Sequence, residues 1–441
     1  MSEGSLKFII DDVKQSNAVS NQTSSPASHV PSSYSSNKHR KRRRHHSHLL
    51  VWLIVFLVVV ALSVSYLYND HYLKGVKYVP IGVGQSFVDA ENNLGIKIIN
   101  DAYIQGLRSN MVIAPSGLDA PLSFVYTNTN PTNAMNLKRL LSYGGMSNSA
   151  IRMSNQIMLN SLVNPDGSTL RLNSNLWVNG GSIVKSAYLK DAKSNFDMPV
   201  SNLDFSKPSA IASINARIRQ DVANGSINAG GLIGKQQSAL ITNSAYFTDQ
   251  WQYGFNYSQT KAAQFSSLSG SSLTVPFMHQ TNVFNYYANA DLEAIQLPFG
   301  ADGSLVMNVY MPSDFQSFMS GLSLKDLADI NSNFNQYKID LSLPRLNINY
   351  QANLDTVLKS LGASSLFDSN LSNQQINPPV HLTDFLTFNH LNVSEQGVST
   401  TLQSAANNTA AMTVNKPFLF TIVDNSTGNF VMIGIVSNPS Q

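Results

Sequence analysis

Apolar positions along this chain fall into three rhythms. The first is a continuous run, "LLVWLIVFLVVVALSVSYLY", Leu49 to Tyr68, twenty residues without a charge. As a helix it rises about 30 Å, the thickness of a bilayer's hydrocarbon core. Trp52, Tyr66 and Tyr68 lie near its ends, where interfacial aromatics are favoured. The second is helical spacing, in "NLGIKIINDAYIQGL" and "NLDTVLKSLGASSLF". The third is alternation or a short apolar run, in "ALITNSAYF", "SLVMNVYMP", "YKIDLSLPRLNINY" and "NFVMIGIVSN", which read as strands. Helices crowd the first half and strands the second, with no regular βαβ alternation. That pattern predicts an α+β fold with a predominantly antiparallel sheet. From about Gln85 onward no long linker or repeat period intervenes, so one large domain is expected.

Composition adds an orientation. Residues 11–38 are rich in Ser, Asn, Gln and Pro and read as disordered. Residues 1–48 hold eight Lys/Arg and three Asp/Glu, most of them in "KHRKRRRHHSH" just before the apolar run. This basic flank predicts a cytoplasmic N-terminus and a folded domain on the extracytoplasmic side. The expected organisation is a tail at 1–48, a transmembrane signal-anchor at 49–68, a linker at 69–85 and a folded domain at 86–441. A signal peptide cut after Ser63 is the competing reading, and a 48-residue leader fits it poorly. The whole-chain charge of +3 therefore comes from the tail, the rest standing near −2. A nucleic-acid partner would need a basic face on the folded part, so none is expected.

The candidate chemistry is sparse. With no cysteine there is no thiol catalysis and no Cys-based metal site. Of nine histidines only His279, His381 and His390 lie in the body, read as structural or surface residues. No H-E-x-x-H, G-x-S-x-G or Walker-type motif occurs. Neither metal nor cofactor is expected, and a hydrolase built on unrecognised carboxylates is the weakest class.

One segment stands out instead. Between Glu395 and Lys416 lie twenty uncharged residues, mostly Ala, Thr, Ser and Asn. Counted by twos from Gly397, Val398, Thr400, Leu402, Ser404, Ala406, Asn408 and Ala410 share one face. Ser399, Thr401, Gln403, Ala405, Asn407, Thr409 and Ala411 share the other. Such a sequence is tolerable both as a loop in water and as a half-buried strand. A charge on its inward face would block burial at a cost of several kcal/mol.

At this point the chain resembles the serpin family from about Ser86 to Pro439. The matches run in family order: "SNMVIAPSGLDAPLSFVYTNTN", "LITNSAYFTDQWQYGF" (carrying Asn243, Tyr246, Phe247, Trp251 and Phe255), "VPFMHQ", "LPFGADGSLVMNVYMP", "LSLPRLNI", "LGASSLF", "VSEQG" and "NKPFLFTIVDNSTGNFVMIGIVSNP". The resemblance implies three β-sheets, eight or nine helices, a metastable native state and an exposed reactive-centre loop. It implies an inhibitor, not an enzyme: a protease cuts the loop, becomes acylated, and is trapped when the loop inserts into the main sheet. The implied hinge is Glu395, Gln396, Gly397, Val398, Ser399 and Thr400, with Glu395 paired to Arg345 beside Trp251. Asn243 and Thr387 match the shutter under the sheet.

The chain also departs from the family. Ala114 and Gly117 stand where serines are frequent, Thr387 where a histidine is, and His390 lies three residues further on. Thr400, Thr401, Leu402 and Gln403 replace a run of alanines, and Gly397 to Pro417 is about five residues short of the family interval. Counting the usual fourteen residues from Gly397 puts the scissile bond at Ala411–Met412, while a shorter loop is cut around Asn408, Thr409 or Ala410. The expected partner is a serine or cysteine protease preferring small or apolar residues. The expected protein is a membrane-tethered monomer, the alternative a non-inhibitory binding or structural module.

Overall fold

The computed structural model describes residues 83–162, 169–222, 227–233, 237–399 and 408–440. The tail, the apolar run at 49–68 and most of the expected linker lie outside them. Among the described residues no helix is long and apolar enough to cross a membrane.

The first helical pattern becomes the helix Gln85–Ile104, which buries Phe87, Val88, Leu94, Ile98, Ile99 and Tyr103. Gly95 lets it close on its neighbour, since a Cβ there would sit 2.6 Å from Pro115. That neighbour, Pro115–Asn128, is buried from Pro115 to Tyr126. A helix buried on every side runs through a core, and this one lies between the sheets, with Ser116, Asp119 and Ser123 buried among its apolar residues. Helices Pro131–Leu140, Asn148–Leu162 and Ser186–Phe196 pack around it. The second helical pattern is broken: short helices Asp355–Leu358 and Ser365–Asp368 flank a π turn in which Gly362 takes φ +91°. With these two segments counted separately there are ten α-helical segments among the described residues, against the eight or nine expected.

Three sheets form, as the resemblance implies, in an α+β fold. The main one has five strands, in the order Leu346–Asn353, Leu382–Val393, Ala239–Thr248, Thr169–Asn179 and Val200–Leu203. Its two central strands, Leu382–Val393 and Ala239–Thr248, are parallel over ten residue pairs, from Leu382↔Ala239 to Asn392↔Thr248. Each of them pairs antiparallel with its outer neighbour. One face rests on the main core through Ile241, Ala245, Phe247, Phe385 and Leu391. The other is covered by the helix Pro208–Asp221: Ile214, Ile218 and the following Val222 pack on Trp177, Leu240, Leu386 and Phe388.

An eleven-stranded, mostly antiparallel sheet carries the C-terminal strands Phe418–Asp424 and Phe430–Val436, and the third sheet pairs Ile183–Val184 with Ile376–Asn377. The stretch "YKIDLSLPRLNINY" is two strands, not one. Asn335–Pro344 belongs to the large sheet and Leu346–Asn353 to the five-stranded sheet, and Arg345 is the corner between them.

Candidate functional site

The corner at Arg345 meets the end of a central strand. Leu382–Val393 leaves its sheet at Val393, and the chain turns through Ser394, Glu395 and Gln396. It then runs as Gly397–Ser399, parallel to Trp251–Tyr253. Backbone bonds fix the turn: Trp251 N donates to Gln396 O and Phe255 N to Glu395 O, each at 2.9 Å. The Trp251 indole donates to Ser394 O at 2.7 Å and stacks on Phe299 at 4.4 Å between ring centroids.

Glu395 is buried to 1% exposure. Its Oε1 accepts from Arg345 Nε at 2.6 Å and from Thr260 Oγ1 at 2.7 Å, and the guanidinium lies over the Tyr257 ring. Burial pushes the carboxyl up, but the hydrogen bonds from Arg345 and Thr260, with the Arg345 charge, outweigh it. Its pKa falls below the usual glutamate value. Its second oxygen, Oε2, is buried with no donor. Gly397 is required at its position: a Cβ there would lie 2.2 Å from both Cα and N of Gly254. Glu395, Gln396, Gly397, Arg345 and Trp251 are thus brought together in one cluster.

Below it, on the buried face of the central pair, Asn243 and Thr387 sit opposite one another in register. Thr387 Oγ1 donates to Asn243 Oδ1 at 3.3 Å, and Asn243 Nδ2 donates to Gly117 O at 2.7 Å. The Gly117 carbonyl is free for a reason visible in the sequence. Its intrahelical partner would be the N–H four residues on, and that residue is Pro121, which has none. Ser174 Oγ also donates to Gly117 O, at 3.3 Å. Asn389, two residues beyond Thr387, donates to Thr387 Oγ1 at 2.9 Å and to Val112 O at 2.7 Å. The polar network that the missing histidine and serines would leave thin is supplied by Asn389, Ser174 and the proline-freed carbonyl.

His390 lies away from this network. Its Nε2 meets Asn347 Oδ1 at 3.0 Å and its ring packs on Tyr246 at 5.2 Å, while burial lowers its pKa. His279 Nδ1 is engaged by Ser342 Oγ at 2.8 Å, and His381 is exposed in an isolated bridge to Asn370.

At the loop's two ends, Val398 is 51% exposed and Thr400 lies outside the described residues. The chain is described again from Asn408, whose carbonyl accepts from Lys338 N at 2.8 Å. Thr409–Thr413 then pairs parallel with Asn335–Pro344, Ala411 opposite Asp340 and Met412 opposite Leu341. The Met412 side chain is buried to 1%. Thr409, Ala410, Ala411 and Met412 therefore all stand in a hydrogen-bonded strand.

The reading of the sequence passed over four contributors: Asn389, Ser174, Pro121 and Gly254. Pro121 carried a signal, a proline inside an apolar helical stretch. Asn389 carried none, because an asparagine in an alternating strand reads as solvent-facing. A second buried cluster was also missed. Glu91 accepts from Ser116 at 3.1 Å and Asn429 at 2.6 Å, and Asp119 accepts from Tyr143 at 2.6 Å and Ser123 at 2.9 Å. Burial raises both carboxyls, Glu91 well above its ordinary value and Asp119 to about 6.

The profile described as "Serpin (serine protease inhibitor)" matches residues 89–439. An uncharacterised serpin-like protein of Thermococcus kodakarensis is 27% identical over 403 residues, covering 85% of this chain and 91% of its own. Human glia-derived nexin is 25% identical, over 80% of this chain and 94% of its own. Native protease nexin-1, solved with heparin, superposes with a TM-score of 0.72 at 23% identity, over 80% of this chain and 99% of its own. Human thyroxine-binding globulin does so with a TM-score of 0.71 at 18% identity, over 81% and 100%. The chain belongs to the serpin family, a family of protease inhibitors and not of enzymes.

Proposed function

We propose that this protein is a membrane-tethered inhibitor that traps its protease by inserting the cut loop between the two parallel central strands. The observation that carries this reading is the parallel pair itself. A strand placed between Leu382–Val393 and Ala239–Thr248 can run antiparallel to both, continuing the alternation on either side. The segment that begins at Val398 emerges from the upper end of one of them.

The lengths agree. The ladder has ten residue pairs. Val398 to Asn408 supplies eleven residues, enough for such a strand, with Val398, Thr400, Leu402, Ser404, Ala406 and Asn408 on one face. We place the bait bond around Asn408, at the start of the strand Thr409–Thr413, and not at Ala411–Met412, which lies in the middle of that paired run. The absence of Lys and Arg between Glu395 and Lys416 selects a serine or cysteine protease that prefers small or apolar residues. The tether is the run Leu49–Tyr68, with the basic flank holding the tail in the cytoplasm and the inhibitor outside it.

A soluble form beginning near residue 75, mixed with elastase-like or subtilisin-like proteases, is expected to give an SDS-resistant covalent band and a cut mapped near Asn408. Cleavage without a band sinks the inhibitor reading. A second reading, a non-inhibitory binding module, is favoured by the short loop: Ser399 and Asn408 are both already tied to strands. It predicts cleavage as a plain substrate.

A further inference from the structure

The first helix and the last strand meet at a ring of three polar side chains. Glu91 lies on the helix Gln85–Ile104, Ser116 in the first turn of Pro115–Asn128, and Asn429 just before the strand Phe430–Val436. Each is 1% exposed or less. Asn429 Nδ2 donates to Glu91 Oε2 at 2.6 Å, while the single Ser116 hydroxyl stands 3.1 Å from Glu91 Oε2 and 3.0 Å from Asn429 Oδ1. Three contacts need three protons. The amide supplies one and the hydroxyl one, and turning the Asn429 amide over does not change that count. A carboxylate would leave one contact between two acceptors. A carboxylic acid, donating from Oε2 to Ser116, reverses that contact and closes the ring.

The surroundings offer no counter-charge. Among the described residues Glu91 has no ion-pair partner, and the titratable groups acting on it are Asp119 and Tyr143. Tyr143, Ser123 and Asn155 all donate to Asp119 Oδ2, a set that suits a charge on Asp119 and leaves the proton to Glu91. On Glu91's own helix, Asp89 is engaged by Gln85, Lys97 by Leu140 O and Ser142, and Asp101 by Ser360. On the helices packed against it, Lys325 pairs with Asp329, Asp326 caps its own helix, Asp355 accepts from Phe385 N and Lys359 lies over Phe367. Burial, then the Asp119 charge, disfavours the ionised form of Glu91.

We propose that Glu91 is a neutral carboxylic acid in the native protein, and that its proton closes a pH-sensitive clamp between the first two helices and the final strand. The unfolded glutamate gives up its proton above about pH 4.3. Stability from the clamp is therefore whole below that pH and is lost as pH rises through the higher folded value. Loss of the proton puts two negative charges in one buried cluster and opens the ring. Ser116 is followed by Gly117, whose carbonyl holds Asn243 on a central strand. An open ring loosens that turn, so the cut loop enters the sheet faster as pH rises. That consequence rests on the inhibitor reading; the clamp does not.

The test uses the full chain and Glu91→Gln, whose amide carries donors that no pH removes. The ratio of parent to variant unfolding constants, from urea titrations, is expected to rise about tenfold or more between pH 5 and pH 8. A constant ratio overturns the clamp. Infrared spectra of the native parent at pH 6 are expected to show a protonated-carboxyl stretch that moves on carbon-13 labelling of glutamate and vanishes in Glu91→Gln. If Glu91→Gln does not fold, the labelled parent decides alone: no such glutamate band overturns the assignment. The melting temperature after a cut near Asn408 is read alongside. A glutamate band without a rise in melting temperature leaves the clamp and removes the inhibitor reading. A rise without the band does the reverse.

Discussion

Glu395 and Asp119 are buried carboxylates with opposite consequences for stability. The Glu395 pKa is depressed, so its contribution is present above the unfolded glutamate value, about 4.3, and fades as pH falls through the lower folded value. Arg345→Met leaves that carboxylate unpaired. Because Arg345 is 41% exposed in its side chain, solvent screens part of the loss, and we expect about 1–3 kcal/mol at pH 7. The gap between mutant and parent melting temperatures should close in acid, once Glu395 is protonated. Asp119 is raised to about 6, so its cost to the fold is absent below the unfolded aspartate value and grows as pH rises toward 6. Asp119→Asn retains an acceptor for Tyr143 and Ser123. It is expected to stabilise the chain by roughly 1–3 kcal/mol at pH 7 and to do nothing at pH 4, read from urea midpoints at the two pH values. A pH-independent effect of either substitution would contradict these assignments. The Glu395–Arg345 pair was legible only through the family resemblance, because the two residues stand in its motifs "VSEQG" and "LSLPRLNI". Asp119 was not, since only the fold shows that every side of its helix is buried.

At the scale of elements, the helix Pro115–Asn128 and the central strands are joined through one carbonyl. Asn243→Ala removes the stronger donor to Gly117 O and is expected to cost about 1–3 kcal/mol, the penalty of a buried acceptor losing its partner. Pro121→Ala restores an N–H four residues from Gly117. The double substitution should therefore recover part of the Asn243→Ala loss, beyond the gain of Pro121→Ala alone, in a cycle of urea midpoints. Strict additivity would show that the proline does not free this carbonyl for the sheet. The hinge is just as local: Gly397→Ala places a Cβ at 2.2 Å from Gly254. It is expected to destabilise the uncut protein while sparing the cut one, in which Gly397 has left Gly254. Equal losses in both forms would contradict a hinge that moves. Sequence periodicity reached most of these elements but not their pairing. Arg345 divides "YKIDLSLPRLNINY" between two sheets at the one place where the apolar positions slip phase, from Ile339, Leu341 and Leu343 to Leu346, Ile348 and Tyr350, a slip that periodicity alone does not read as a change of sheet. The parallel register of Leu382–Val393 with Ala239–Thr248 joins segments far apart in the chain, which no local pattern records.

For the whole molecule, the fold holds a five-stranded sheet whose two central strands are parallel, with the hinge turn at the end of one of them. The order of the family's motifs made that architecture legible before any coordinates. The loop's terminus was not legible, because Thr409–Thr413 has the same small, uncharged composition as the residues before it and only its pairing with Asn335–Pro344 sets it apart. The most direct test is the melting temperature of the chain before and after a single cut near Asn408. Insertion of Val398–Asn408 between the parallel strands predicts a rise on the order of 10 °C or more, with backbone amides of Ala239–Thr248 exchanging more slowly. An unchanged melting temperature in the cut chain would show that the loop does not enter the sheet, and would contradict the account.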